Sequence, residues 1–369
     1  MRFWIFRIVL VSVLLVAVIG PVSASQKKRK DEEPKPQVLP LPKELPRAQV
    51  VDSRTLSFRV TPLLKNGRLS VQIKDTLANL LRDTHNGTIV KLRAFVAGAG
   101  DSRRVQELVS EMFSEKKQPL PVLTLIQVGA LGNEASAIVM EAVVAGKKVE
   151  NTNGLAFLAG QSGPSLDTAL SKVVESMKAA NLSSGDVIST TCFASRFGDY
   201  PSMLNSVTTA FPHAAVNLVQ AVRDPFDSRC TCEAVARISN PNHTESRKAA
   251  DSRVFLVPGS QVVFTGLQLS FGTYLDDAKS ALSRLARDLE SVHVDIRDAV
   301  SINAFSLNPA AVSALQKTMP KFDIRPDTLT IQPVEGLPSL DAALGMEAVL
   351  APASGGGFPQ STSLVGGAR

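Results

Sequence analysis

Glu141, Glu233 and Glu347 each open a Glu-Ala-Val triplet, and each triplet follows, at a similar distance, a strand-like run that ends in Phe. A carboxylate repeated in this way has two uses. It can be aimed at a ligand or a water in a cleft, or it can hydrogen-bond a neighbouring backbone or a Lys or Arg across an interface. Both readings stay open on the sequence. Other chemistries find little support. His85, His213, His243 and His293 are scattered, with no G-x-S-x-G elbow to supply a nucleophile. Gly98, Gly100 and Gly129 form neither a P-loop nor a dinucleotide fingerprint. The Cys and His residues lack the paired spacing of a zinc site, so no metal and no cofactor is expected. Cys230 and Cys232 share one face of a strand and are not expected to pair with each other; Cys192 reaches one of them if their strands are neighbours, and otherwise all three are small buried residues.

The elements that must position the glutamates recur. Ile89–Phe95, Val187–Phe193 and Ala299–Phe305 read alike, each preceded by an amphipathic helical run. A period of about a hundred residues is too long for a solenoid and fits a small domain written three times. The second copy is clearest: a strand Leu155–Gln161, a helix capped by Ser165, the strand to Phe193, a helix over 201–211, and strands at 214–222 and 230–238. The third copy repeats this order from Val262. The first is degenerate at its start, where 55–62 and 68–72 suggest an opening hairpin and the helix is expected from about Asp75. Each copy reads as α+β, a mixed sheet with two helices on one face. The other, apolar face needs cover, which three copies in one chain supply by packing around a pseudo-threefold axis.

At 369 residues, 44% hydrophobic and 20% charged, the chain is globular in composition. The net charge of +6 is gathered in part near Arg2, Arg7 and Lys27–Lys30, and only 5% of residues are aromatic, so no nucleic-acid partner is expected. Arg2 and Arg7 precede an apolar run to Gly20 and a small-residue site at Val22-Ser23-Ala24. Residues 1–24 are read as a signal peptide giving a secreted or periplasmic protein, the alternative being an uncleaved membrane anchor. The remaining division is a Pro-rich charged linker at 25–48, repeats at 49–148, 149–250 and 251–351, and a flexible tail at 352–369. A completed threefold ring in one chain would be a monomer.

These runs resemble the reactive intermediate deaminase family (RidA, YjgF-like, also endoribonuclease L-PSP-like). The likeness rests on 88–144, with Pro121–Leu131 and Met140-Glu141-Ala142-Val143, then on 154–238 and on 262–351. It implies a chorismate-mutase-like α+β fold, here three tandem repeats fused into a single-chain pseudo-trimer. It also implies an Arg that clamps a carboxylate, a Glu that positions water for enamine or imine hydrolysis to a ketone and ammonia, and a Gly-Gln strand end near the cleft. In this chain the Arg positions are Leu123, Val216 and Leu329, and the earlier Glu positions are Val139, about Thr231, and Gly345. Glu141, Glu233, Glu347, Gln161 and Gln268 remain as candidate ligand-binding residues, with no catalytic residue assigned. Three functions follow: small-molecule binding in inter-domain clefts with deaminase activity lost or reduced; a 2-iminobutanoate/2-iminopropanoate deaminase-like hydrolase with the arginine's role relocated to Arg223, Arg229 or Arg325; or a structural scaffold.

Overall fold

The computed structural model describes residues 42–352, apart from 85, 99–102, 225, 227, 240–252 and 259–260. The expected leader, most of the linker and nearly all of the tail lie outside the described residues. Along the chain, strands Ala48–Asp52 (β1) and Leu56–Val60 (β2) precede helix Leu69–Asp83 (α1), strand Thr88–Ala97 (β3), helix Arg103–Glu115 (α2), and strands Val122–Val128 (β4) and Ile138–Ala145 (β5). Strand Leu155–Gly163 (β6), helix Leu166–Ala179 (α3), strand Val187–Ala194 (β7), helix Tyr200–Ala210 (α4), and strands Ala215–Gln220 (β8) and Cys230–Arg237 (β9) follow. The last third holds strands Val254–Val257 (β10), Gln261–Thr265 (β11) and Gln268–Ser270 (β12), helix Leu275–Glu290 (α5), strand Ala299–Ser306 (β13), helix Pro309–Thr318 (α6), and strands Leu329–Pro333 (β14) and Leu344–Leu350 (β15).

The architecture is mixed α+β: three mixed sheets and six α-helices among the described residues. The first sheet runs β2-β5-β3-β4, the second β10-β6-β9-β7-β8, and the third β1-β11-β15-β13-β14, with β12 also on β15. In each sheet a central strand (β3, β7 or β13) pairs parallel with the strand that follows the next helix and antiparallel with the sheet's Glu-bearing strand. The helices form where the sequence supplies caps and stripes. Ser165 caps α3 by accepting from the Thr168 N–H, and Ala169, Leu170, Val173 and Met177 make its buried stripe. Asn308 caps α6 ahead of Pro309, whose fixed φ suits the first turn. Each helix pair and the facing side of its sheet enclose a separate apolar core.

A β-bulge recurs at the same place in all three central strands, between Ile89 and Lys91, Val187 and Ser189, and Ala299 and Ser301. The extra residue turns the pleat, so that Lys91, Arg93 and Phe95 leave the helix side while Leu92 and Ala94 keep it. On the faces away from the helices the three sheets meet. Phe95, Phe193 and Phe305, at matching register positions, form one aromatic cluster there, with ring centroids 5.9 and 6.3 Å apart for the two neighbouring pairs. Val90, Ile188 and Val300 help build a second shared apolar layer.

The opening of the first repeat differs from expectation. Residues 68–72 are not a strand: α1 begins at Leu69. Leu69, Val71 and Ile73 mimic a period of two, but Val71 is exposed, whereas Gln72 is buried, donating to the Gly67 and Ala135 carbonyls and accepting from the Ala137 N–H. Two strands also pair across the repeat boundaries read from the sequence. β1, within 49–148 but for its first residue, pairs along its length with β11 of the third sheet. β10, within 251–351, pairs with β6 of the second. An edge strand is recruited through its backbone, so its own residues do not name its partner. Among the described residues no helix is long and apolar enough to cross a membrane.

Candidate functional site

The strand registers fix which residues are equivalent. Phe95, Phe193 and Phe305 face Ile126, Val219 and Gln332, so Leu123, Val216 and Leu329 occupy one position on their three strands. Glu141, Glu233 and Glu347 lie opposite Arg93, Thr191 and Asn303. All three glutamates come together between the two shared apolar layers, and two cations meet them there. The Arg93 guanidinium donates to Glu233 at 2.6 Å, to Glu141 at 3.2 Å and to Glu347. Lys91 Nζ donates to Glu347 and to the Thr265 carbonyl, both at 2.5 Å, and to Thr124 Oγ1 at 2.7 Å. Thr191 Oγ1 and Asn217 Nδ2 donate to Glu141 at 2.7 and 2.6 Å, and the Thr124 hydroxyl donates to Glu347.

Position decides the charge states. Burial is the largest influence on Glu141 and raises its carboxyl, because its one cationic partner stands off at 3.2 Å and two neutral donors only partly offset the lost water. Glu347 is as deeply buried, yet Arg93 and Lys91 together hold it down at about 2. Burial lowers Lys91 against the opposing pull of Glu347. Arg93 feels the same burial but is raised well above its ordinary value by Glu233, Glu347 and Glu141. The glutamates thus take the cross-interface pairing that the sequence left open, and they face a central cavity of about 90 Å³.

Two larger clefts lie between sheets. That between the second and third has a volume of about 800 Å³ and that between the first and second about 650 Å³, and no glutamate of the triplets lines either. Leu329 and Thr231 line the larger cleft, and Val216 and Val139 the smaller. Between the third and first sheets Leu267 donates its N–H to the Leu123 carbonyl, and its side chain packs over Gly345. Leu123, Val216 and Leu329 also pack into the helix-side cores, where a guanidinium would be stranded.

Of the other sequence candidates, Gln161 and Gln268 occupy equivalent positions, opposite Cys232 and Met346, one residue before the glutamates. The pleat sends them elsewhere: Gln161 bonds weakly to the Ala159 carbonyl, and Gln268 donates to Asp288 of α5. Arg325 stacks on Phe255 at 4.7 Å and donates to the Ala299 carbonyl, while Arg223 donates to the Gly129 carbonyl. Arg229 does line the larger cleft. So does Arg253, which immediately precedes β10, the strand borrowed by the second sheet, and so stands outside the repeated pattern; its guanidinium donates to the carbonyls of Leu329 and Asp327. Cys192 is bonded to Cys232, with Cα atoms 4.1 Å apart, and Cys230 stays a buried thiol that burial raises to about 12. Among the described residues no group of three or more His, Cys, Asp or Glu is placed to hold a metal ion.

No protein-family model and no curated protein matches the chain. Among solved structures it is similar to an uncharacterized protein from Pseudomonas aeruginosa, with 18% identity over 25% of this chain and 83% of that one and a TM-score of 0.22. It is similar to a member of the YjgF protein family from Neisseria meningitidis, with 10% identity over 29% and 92% of the two chains and a TM-score of 0.22. A chorismatase aligns along 84% of this chain and all of its own length, at 11% identity and a TM-score of 0.23. Likeness at this level decides nothing about substrate or activity.

Proposed function

We propose that this chain is an exported, single-chain pseudo-trimer of RidA-like units that binds a small acceptor-bearing molecule between its second and third units, with deaminase chemistry lost. The observation that carries the reading is the Gln332 side chain. It is buried, it lines the 800 Å³ cleft, and its amide nitrogen has no hydrogen-bond partner. A buried donor without an acceptor is costly, and a ligand carboxylate or carbonyl would satisfy it. Arg229 and Arg253 favour an anionic end, and Phe193, Leu329 and Ile331 an apolar body. Loss of the chemistry is supported by Thr231 and Leu329, which stand on this cleft where the resembled family would carry Glu and Arg.

The test is ligand-observed NMR of purified residues 25–369 with 2-oxobutanoate and pyruvate, beside ammonia release from enzymatically generated 2-iminobutanoate. Keto-acid binding weakened about tenfold by Gln332→Leu, without ammonia release, is the expected result. A second reading, an active hydrolase, is favoured by Arg253 at the cleft wall. Ammonia release abolished by Arg253→Ala would establish it in place of the first. Absence of both binding and release would leave the scaffold.

A further inference from the structure

The central cavity is a separate space from the clefts. Its charged lining is Lys91, Arg93, Glu141, Glu233 and Glu347, with no other titratable group among the described residues facing it. Two cations against three carboxylates leave one surplus negative charge. An unbalanced charge in a buried site is expensive, so something must neutralise it. Burial raises the Glu141 carboxyl, but Glu141 already receives three donors and Glu347 receives Arg93, Lys91 and Thr124, so a proton on either would turn an acceptor oxygen toward groups that donate to it. Glu233 is the least served, accepting from Arg93 alone among the described hydrogen bonds.

A second observation points into the same space. Asn303 is 4% exposed, lines the cavity, and its amide oxygen has no partner. It stands at the position that Thr191 and Arg93 hold in the other two sheets, where each donates to a glutamate. An unmatched acceptor and an under-served carboxylate call for an occupant that carries positive charge or N–H donors. The volume of about 90 Å³ is several times what one water needs. Phe58, Phe157 and Phe264 line the same cavity, and aromatic faces favour a weakly hydrated cation. A divalent ion would need several carboxylates free to chelate it, and here Glu141 and Glu347 are committed to Arg93, Lys91 and their neutral donors.

We infer that the central cavity is a binding site for a small monovalent cation of ammonium or potassium size, held by Glu233 and the Asn303 amide oxygen. Its effect is structural: one ion would join the second and third sheets where Arg93 and Lys91 join the first to both.

Thermal unfolding of the whole chain tests this, in chloride salts of ammonium, potassium, sodium and tetramethylammonium at equal ionic strength. A saturable rise of about 2–4 °C with ammonium or potassium, absent with tetramethylammonium, is expected. Asn303→Leu should abolish the ion-specific rise, and Asn303→Asp should move its midpoint to about tenfold lower concentration. An equal rise in all four salts, no rise, or a rise unchanged in Asn303→Leu would overturn the inference. If the variants do not fold, isotope-labelled ammonium offered to the unaltered protein decides the matter: a slowly exchanging bound resonance supports the site, and its absence at saturating salt removes it.

Discussion

Arg93 is one residue asked to satisfy three carboxylates from three sheets. Its removal would cost more than the bonds it makes, because the carboxylates would remain buried without it. Arg93→Met should therefore lose about 3–5 kcal/mol in urea unfolding at pH 7. The unpaired carboxyls would bind protons more readily folded than unfolded, so this variant should regain stability as pH falls from 8 to 5. Glu347 gives the opposite sign. Its carboxyl is held at about 2, below the ordinary 4.5, so the stability it contributes is complete above about pH 4.5 and is lost as pH falls toward 2. Glu347→Gln should lose about 2–4 kcal/mol at neutral pH and show a flatter acid limb in the same titration. The glutamates were legible because they repeat. Lys91 and Arg93 were not, because they occur in one copy only, against Ser189 and Thr191 or Ser301 and Asn303 in the others. Two cations alternating within an otherwise apolar strand were the signal available.

Helices and central strands were readable where period, cap and turn residues agreed, as in α3 with Ser165 and α6 with Asn308. Where they conflicted, at 68–73, the alternation of Leu69, Val71 and Ile73 misled and the buried stripe of Ile73, Leu77 and Leu80 prevailed. The Cys192–Cys232 bond joins β7 to β9 on the helix side of the second sheet and closes a loop of sequence separation 40. Reducing it, or making Cys192→Ala with Cys232→Ala, should lower unfolding free energy by about 3–4 kcal/mol, in one cooperative transition because the three sheets share their inner layers. Measuring the melt with and without reductant checks both statements.

Where the three sheets meet, the described residues alternate in layers: an apolar layer built on Phe95, Phe193 and Phe305, a charged layer, and a second apolar layer. Each layer draws on all three sheets, so no single unit can bury its inner face alone. A chain that supplies all three should sediment at single-chain mass, and a chain cut to begin at Ser53 should not. Loss of β1 would bare the edge of β11 and drive self-association visible in light scattering. That edge pairing was invisible in the sequence, since it depends on which backbone is left over once the sheets have formed.

β1 also sets an order of events during synthesis. It leaves the ribosome early, but its partner β11 is made about two hundred residues later, which at about 5–20 residues per second is a wait of about 10–40 s. For that interval the first strand is an adhesive segment without a seat, while the first two sheets take shape beside it. The third sheet, the last of the three to be translated, takes its edge strand from residues made before the other two, so its ladder is complete only when β11 has met β1.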